Sequence, residues 1–245
     1  MKIRRSTRTE EALWSRLAKF MNGNRRDYKA GEFHVSDILD VRQAYFKITD
    51  PKPPKRESLA FFTAGRAHHE IIQEVLPGKP EFQVKVKKKG ITITATIDSM
   101  VHYPIEVKTS RKWKIPDQPE SHYTEQLLYY MAQTGKTCGK IIVFYICPGR
   151  TFDGKTQTTP DFRAWDVHVS APELGNIRKE MHQRAAALHT AVTAGTLNKD
   201  SRAFEKLPLC AAFKCGGKGR GGTYVSCQWY EACKPEGRYP EERLG

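Results

Sequence analysis

Asp98, Glu106 and Lys108 are the residues whose types and spacing carry the strongest chemical signal. Seven residues separate the two carboxylates, and one separates Glu106 from the lysine. Asp98 ends an apolar alternation, TATIDSM, and the segment IEVKTS carries the other two. Residues two apart on a strand share a face, so Glu106 and Lys108 point the same way. Burying two carboxylates and an ammonium near one another is costly unless a cation or a charged substrate compensates. Two carboxylates on adjacent strands form an oxygen site suited to Mg²⁺ or Mn²⁺. The lysine can hold an attacking water or balance charge on a pentavalent phosphate. Hairpins with alternating charges on a solvated face produce the same string, so the elements around these residues decide its meaning.

Those elements follow from periodicity. Residues 8–21 have helical spacing at Leu13, Leu17 and Phe20. A second helix is expected from Ser36, as N-cap, through SDILDVRQAYF. The proline-rich segment TDPKPPKRE reads as a linker. Ser58 opens a long helix that closes before Pro77-Gly78, with Phe61, Phe62, Ile71, Ile72 and Val75 as its apolar stripe. EFQVKVKK and ITITATIDSMV form a hairpin across a Lys-Gly turn, and a turn at His102-Tyr103-Pro104 leads into IEVKTS. A helix spans 121–134. Strands follow near KIIVFYIC and FRAWDVHVS, with PGRTFDGKTQTTPD between them as a polar loop. A last helix runs over about 172–194, its core stripe formed by Leu174, Ile177, Met181, Ala185, Leu188 and Val192. The expected fold is an α/β core with an N-terminal helical cap and a small C-terminal module. The divisions are 1–57 (helical region), 58–198 (core) and 199–245 (cysteine-rich module).

The helices on either side of the acidic strands carry further signals: Gly65-Arg66-Ala67-His68-His69-Glu70 upstream, and Gln126-Leu127-Leu128-Tyr129-Tyr130 downstream. A G-x3-H helix, an Ile97-Asp98 strand, a Glu106-Val107-Lys108 strand and a Q-x3-Y helix then stand in order. Over residues 36–147 the chain resembles the PD-(D/E)xK nuclease superfamily, specifically its RecB-like exonuclease branch, which includes CRISPR-associated iron–sulfur exonucleases and their viral relatives. The resemblance implies a restriction-endonuclease-like core, a mixed central sheet flanked by helices. It implies that His69, Asp98, Glu106 and the Val107 carbonyl ligate a divalent metal, and that Lys108 positions or activates the hydrolytic water. Gln126 and Tyr130, in the family, orient the site and contact DNA. The implied chemistry is in-line attack of water on a phosphodiester. Periodicity alone leaves His68 and His69 open, and the three-residue gap after Gly65 favours His69. Arg66, Arg111, Lys112 and Lys114 bracket the site as candidate phosphate contacts, and Trp113 or Tyr123 could stack bases. A solvated loop anchored by one tryptophan would look the same.

Of six cysteines, Cys138 and Cys147 flank the apolar run IIVFYI and read as buried structural thiols. Cys210, Cys215, Cys227 and Cys233 crowd into a glycine-rich stretch, which in a reducing compartment suggests a metal or cluster. Iron–sulfur relatives take one cysteine from the N-terminal region, where this chain has none, and Cys215 would replace it. Four thiolates suit a [4Fe–4S] cluster or a structural Zn²⁺. The spacings lack the C-x2-C knuckles of zinc ribbons, which favours the cluster.

Charge points to the partner. The chain has 245 residues and a net charge of +14, an excess that suits a polyanion. Hydrophobic residues at 39% and charged residues at 28% exclude a disordered or collagenous chain. No apolar run is long enough to cross a bilayer, and the N-terminus lacks a secretory apolar stretch, so a cytoplasmic protein is expected, in the host cytoplasm if viral. The function expected is a metal-dependent DNA exonuclease acting on single-stranded ends. The alternative is a non-catalytic or partner-dependent nucleic-acid-binding subunit. Its partners would be a second copy of the chain or proteins of recombination or CRISPR spacer acquisition.

Overall fold

The computed structural model describes residues 7–23, 28–53, 56–147, 149–152, 155–197, 202–208 and 229. The chain begins with α1 (Thr7–Gly23), β1 (Glu32–His34), α2 (Val35–Leu39), α3 (Val41–Thr49) and α4 (Arg56–Val75). Then come β2 (Lys79–Lys88), β3 (Ile91–Met100), β4 (Pro104–Ser110), α5 (Ser121–Thr134) and β5 (Cys138–Tyr145). A hairpin of β6 (Gly149–Phe152) and β7 (Lys155–Thr158) precedes β8 (Asp161–His168) and α6 (Ala171–Leu197). A short 3₁₀ turn, Ala203–Lys206, follows. No helix among the described residues is long and apolar enough to cross a membrane.

The main sheet is mixed, with the order β1-β3-β4-β5-β8 and β2 also paired to β3. β2 and β3 pair antiparallel from Lys79↔Met100 to Lys88↔Ile91, with a break at Glu81 and Asp98. Their turn places both Lys89 and Gly90 at positive φ, the twist that a two-residue hairpin needs. β4 and β5 are parallel and joined through α5, a crossover unit, and β8 closes the far edge antiparallel to β5.

Helices cover both faces. In the β4/β5 register Glu106 pairs with Ile141, Lys108 with Val143 and Ser110 with Tyr145, so these share one face. On it Ile141, Val143 and Tyr145 pack with Leu127 and Met131 of α5 and Leu174 of α6. Val107 pairs with Ile142 and faces the other way, where Ile105 and Val107 meet Ile72 of α4. A larger cluster joins β1, α2, α3 and β3 to Met181, Ala185, Leu188 and Ala191 of α6. The expected α6 stripe is therefore a core stripe, with Ile177 and Val192 half-buried at its margins.

The structure corrects several expectations. The helix expected from Ser36 is two helices broken at Asp40, whose φ of −125° and ψ of 63° are not helical. The start is set by Asp37 rather than Ser36: its Oδ2 accepts the His34 backbone N–H at 2.8 Å. β1 is an unforeseen strand, only three residues long and parallel to β3. The stretch read as a polar loop contains the β6/β7 hairpin. Cys138 is half-buried and Cys147 exposed, because one starts β5 and the other lies beyond its end. On α4, Ile72 is buried but Phe62, Ile71 and Val75 are exposed, so the stripe is narrower than its composition suggests.

α3 is held from the distant end of the chain. The buried Arg42 guanidinium donates to the carbonyls of Glu205 and Leu207, at 3.1 and 2.7 Å. The Trp229 indole N–H donates to the Asp50 carbonyl at 2.9 Å, and its ring lies nearly parallel to Phe46.

Candidate active site

β3 uses one edge for β2, in a register that skips Glu81 and Asp98, and shares the other. On that shared edge β1 pairs with Thr92–Thr94, and β4 pairs at Ser99↔Ile105 and Met100↔Pro104. Asp98 falls in the interval between them. Its carboxylate takes over the missing ladder contact: the Val107 backbone N–H donates to Asp98 Oδ2 at 2.7 Å. The other oxygen, Oδ1, lies 3.1 Å from His69 Nε2 on α4. One turn further along α4, Gln73 Nε2 donates to the Asp98 carbonyl at 3.2 Å. Two residues of α4 thus grip the side chain and the backbone of the same aspartate. Gln73 was missed in the sequence, although its spacing of four from His69 puts it on the same helical face.

Glu106 is 0% exposed, although it is a carboxylate. The Lys108 ammonium pairs with Glu106 Oε1, while Oε2 is buried without a hydrogen-bond partner. A buried carboxylate with one oxygen unpaired is only partly compensated. Burial and then the Asp98 charge push the Glu106 carboxyl above its ordinary value, and Lys108 pulls it part of the way back. Lys108 is held above its usual value, because Glu106 and Asp98 outweigh its own burial. It is therefore an ammonium, and with its side chain 26% exposed it reaches solvent. His69 is also raised, chiefly by its hydrogen bond to Asp98.

α5 supplies the next layer. Gln126 Nε2 donates to Tyr130 Oη at 2.7 Å. Tyr130 is buried, and desolvation together with the charges of Glu106 and Asp98 raises its phenol, so it stays neutral. Tyr123, earlier on the same helix, places its ring centroid 5.9 Å from Lys108 Nζ. His68 faces elsewhere, its ring 5.4 Å from that of Phe144. Of the two histidines, His69 is the one that reaches the acidic cluster.

The structure therefore gathers His69, Asp98, Glu106, Val107 and Lys108, with Gln126 and Tyr130 beside them. The expected DNA-contacting residues lie outside this group. Arg66 forms an exposed pair with Glu70 at 2.8 Å. Lys112 pairs with Glu120 at 3.0 Å, tying the loop after β4 to the start of α5. Arg111 and Trp113 are exposed on that loop, Trp113 at 57%. Cys210, Cys215, Cys227 and Cys233 lie outside the described residues.

The donor set suits a hard divalent cation: two carboxylates, one of them buried with one oxygen unpaired, an imidazole and a backbone carbonyl. Among the described residues, no three His, Cys, Asp or Glu side chains are already gathered at metal-ligand spacing. The side chains instead satisfy one another, His69 with Asp98 and Lys108 with Glu106. A cation would compensate the two carboxylates in place of these internal partners.

No family profile and no curated protein matches the chain. The chain is distantly similar to several solved structures. SSO0001 is 14% identical over 71% of this chain and 85% of its own, with a TM-score of 0.47. The alkaline exonuclease LHK-Exo from Laribacter hongkongensis is 15% identical over 69% and 94%, with a TM-score of 0.44. A phage related exonuclease from Haemophilus somnus 129PT is 12% identical over 75% and 82%, with a TM-score of 0.33. Likeness at this level assigns no activity to the chain.

Proposed function

We propose that the chain is a divalent-metal-dependent deoxyribonuclease, an exonuclease that hydrolyses phosphodiester bonds at single-stranded DNA ends in recombination, repair or processing. One observation carries the reading: the fully buried Glu106 carboxyl, paired with Lys108 through one oxygen and unpaired at the other, lies beside the Asp98–His69 pair. Four titratable side chains gathered at one buried point are costly to the fold and suit a phosphoryl-transfer site. The net charge of +14 supplies attraction for a polyanionic substrate.

Asp98, Glu106, His69 and the Val107 carbonyl would hold Mg²⁺ or Mn²⁺. The ion, when bound, lowers the pKa of a coordinated water and stabilises negative charge on the phosphate. Lys108 acts as a donor: an ammonium has no lone pair, so it orients the water or a phosphate oxygen and accepts no proton. Val107, fixed through its N–H by Asp98, is held by the same residue that supplies a ligand. Gln126 fixes the Tyr130 hydroxyl next to the carboxylates. The four cysteines around Trp229 are proposed to bind one [4Fe–4S] cluster, with zinc as the alternative. An absorption band near ~400 nm in anaerobically purified protein distinguishes the two.

The deciding experiment compares wild type with Lys108→Ala on labelled linear and circular single-stranded DNA in Mg²⁺, Mn²⁺ or EDTA. Metal-dependent loss of linear DNA that vanishes in the variant supports an exonuclease. Loss of circles as well adds endonuclease activity, and DNA bound but never cut overturns the lone-enzyme reading. A second reading, a subunit that binds nucleic acid and cuts only within a complex, draws on the mutual pairing of the ligand side chains. It requires that a partner protein restore cleavage.

A further inference from the structure

A row of rings leads away from the candidate site on the face of the sheet covered by α4. Phe144 pairs in register with Thr109, the residue after Lys108, and on its other side with Phe162. The Phe144 and Phe162 rings stack, with centroids 4.6 Å apart and planes at 28°. His68 meets Phe144 edge-on from α4, and its neighbour His69 touches Asp98. The row thus begins beside His69 on α4 and, on β4, at Thr109, which faces the α4 side of the sheet, away from Lys108. It ends at Phe162, which is 50% exposed on the edge strand β8.

Packing accounts for only part of this row. α4 covers Phe144 through His68 but leaves Phe162 open. One turn before His68, Gly65 contributes no side chain, and a Cβ built there meets nothing within 4 Å. The strand end that carries Phe162 lies in register with the end of β4, where a basic stretch begins. Asp161 pairs in register with Tyr145 and Tyr145 with Ser110, after which Arg111, Lys112 and Lys114 follow in the chain. Asp161 pairs with Arg163 at 2.8 Å, and Lys112 with Glu120 at 3.0 Å. An exposed ring on a chain of net charge +14 suits a strand that offers flat bases and a phosphate backbone together.

We propose that Phe162, stacked on Phe144, is a base-stacking platform for single-stranded nucleic acid, seating bases of the strand whose phosphate lies at the candidate site. The proposal rests on the nuclease reading and adds to it a binding surface for bases. Stacking needs a π-face but no particular hydrogen-bonding edge, so the platform grips a strand without reading its sequence. A duplex keeps its bases stacked on one another and cannot use it. Phe162 therefore supplies a preference for single strands that the acidic cluster alone does not.

The test measures binding in EDTA, by fluorescence anisotropy, of a labelled single-stranded oligonucleotide and of an abasic sugar-phosphate strand of equal length. Wild type binds the base-bearing strand more tightly. Phe162→Ala and Phe162→Leu weaken that binding about ten-fold and leave the abasic strand unchanged. The leucine variant keeps apolar packing on the edge strand and decides the matter if the alanine variant unfolds. Equal loss on both strands, or wild-type affinity in the leucine variant, overturns the platform. So does a doubled sedimentation mass that Phe162→Leu abolishes, which would show the face covered by a second copy. Lys108-dependent cleavage with normal Phe162→Leu binding leaves the nuclease reading standing without the platform. A wild type that neither binds nor cuts at low salt removes both.

Discussion

Asp98 and Val107 are joined by a side chain where a sheet would ordinarily use its ladder: the Val107 N–H donates to Asp98 Oδ2 at 2.7 Å. The divergence of β3 from β4 is what frees this aspartate, and the same carboxylate reaches His69 on α4. A proposed ligand is therefore also a joint between three elements.

Asp98→Asn separates these two roles. An amide oxygen still accepts the Val107 N–H, so the fold persists, but metal-dependent cleavage falls by about 100-fold or more. His69 loses its charged acceptor, and its pKa drops back toward 6.5. Because the folded-state value is raised in wild type, His69 contributes stability that is fully present below 6.5 and is lost as pH rises through the folded value. Urea unfolding in EDTA at about pH 5.5 and about pH 8.5 should show the wild-type advantage over the variant shrinking at the higher pH. Imidazole NMR titration checks the shift directly.

Glu106→Gln tests the cost of the buried carboxylate. The raised Glu106 contributes stability present below 4.5 that is lost as pH rises through its folded-state value. Metal-free wild type should melt at progressively lower temperature across that range, and the glutamine variant should show a flatter profile. Added Mg²⁺ should raise the melting temperature of wild type and leave the variant unmoved. Scanning calorimetry with and without EDTA reads both effects.

Two helical glycines should respond oppositely to alanine. At Gly65 a Cβ meets nothing within 4 Å, so Gly65→Ala should stabilise α4 by about 0.5–1 kcal/mol. At Gly195 a Cβ would fall on the buried Tyr45 ring, so Gly195→Ala should force α6 from α3 and cost about 1–3 kcal/mol. Denaturant midpoints of the two variants check the signs.

Trp229→Ala removes a buried indole and its bond to the Asp50 carbonyl, and should cost about 3–5 kcal/mol. Cleavage per folded molecule should be preserved, because the contact lies on α3 rather than at the acidic cluster. Active-site titration alongside thermal unfolding separates the two quantities.

What the sequence revealed of this site was what local rules encode. Alternation placed Glu106 and Lys108 on one face, and the spacing after Gly65 selected His69, the histidine that reaches Asp98. Patterning also found the long helices and the main hairpin. It did not find β1, whose three residues are too few for a period. Nor did it find the β6/β7 hairpin, although the Asp-Gly dipeptide between those strands is a turn signal. The gap in the β3 pairing is a property of register between distant segments, so the bond from Val107 to Asp98 was not legible. Gln73 and the Phe144–Phe162 stack were missed for the same reason.

The attachment of α3 has a consequence for the order in which the chain can be completed. The acceptors of Arg42 lie 163 and 165 residues further on, and Asp50 meets Trp229 across 179. At about 5–20 residues per second, a ribosome adds those acceptors roughly ten to thirty seconds after α3 emerges. Until then the guanidinium must remain in water, and α3 cannot take its final seat. Vectorial synthesis thus imposes a waiting period on the N-terminal elements, during which the apolar faces of α2 and α3 are without their C-terminal cover. Hydrogen-exchange pulses on stalled nascent chains should find α3 among the last segments to gain protection.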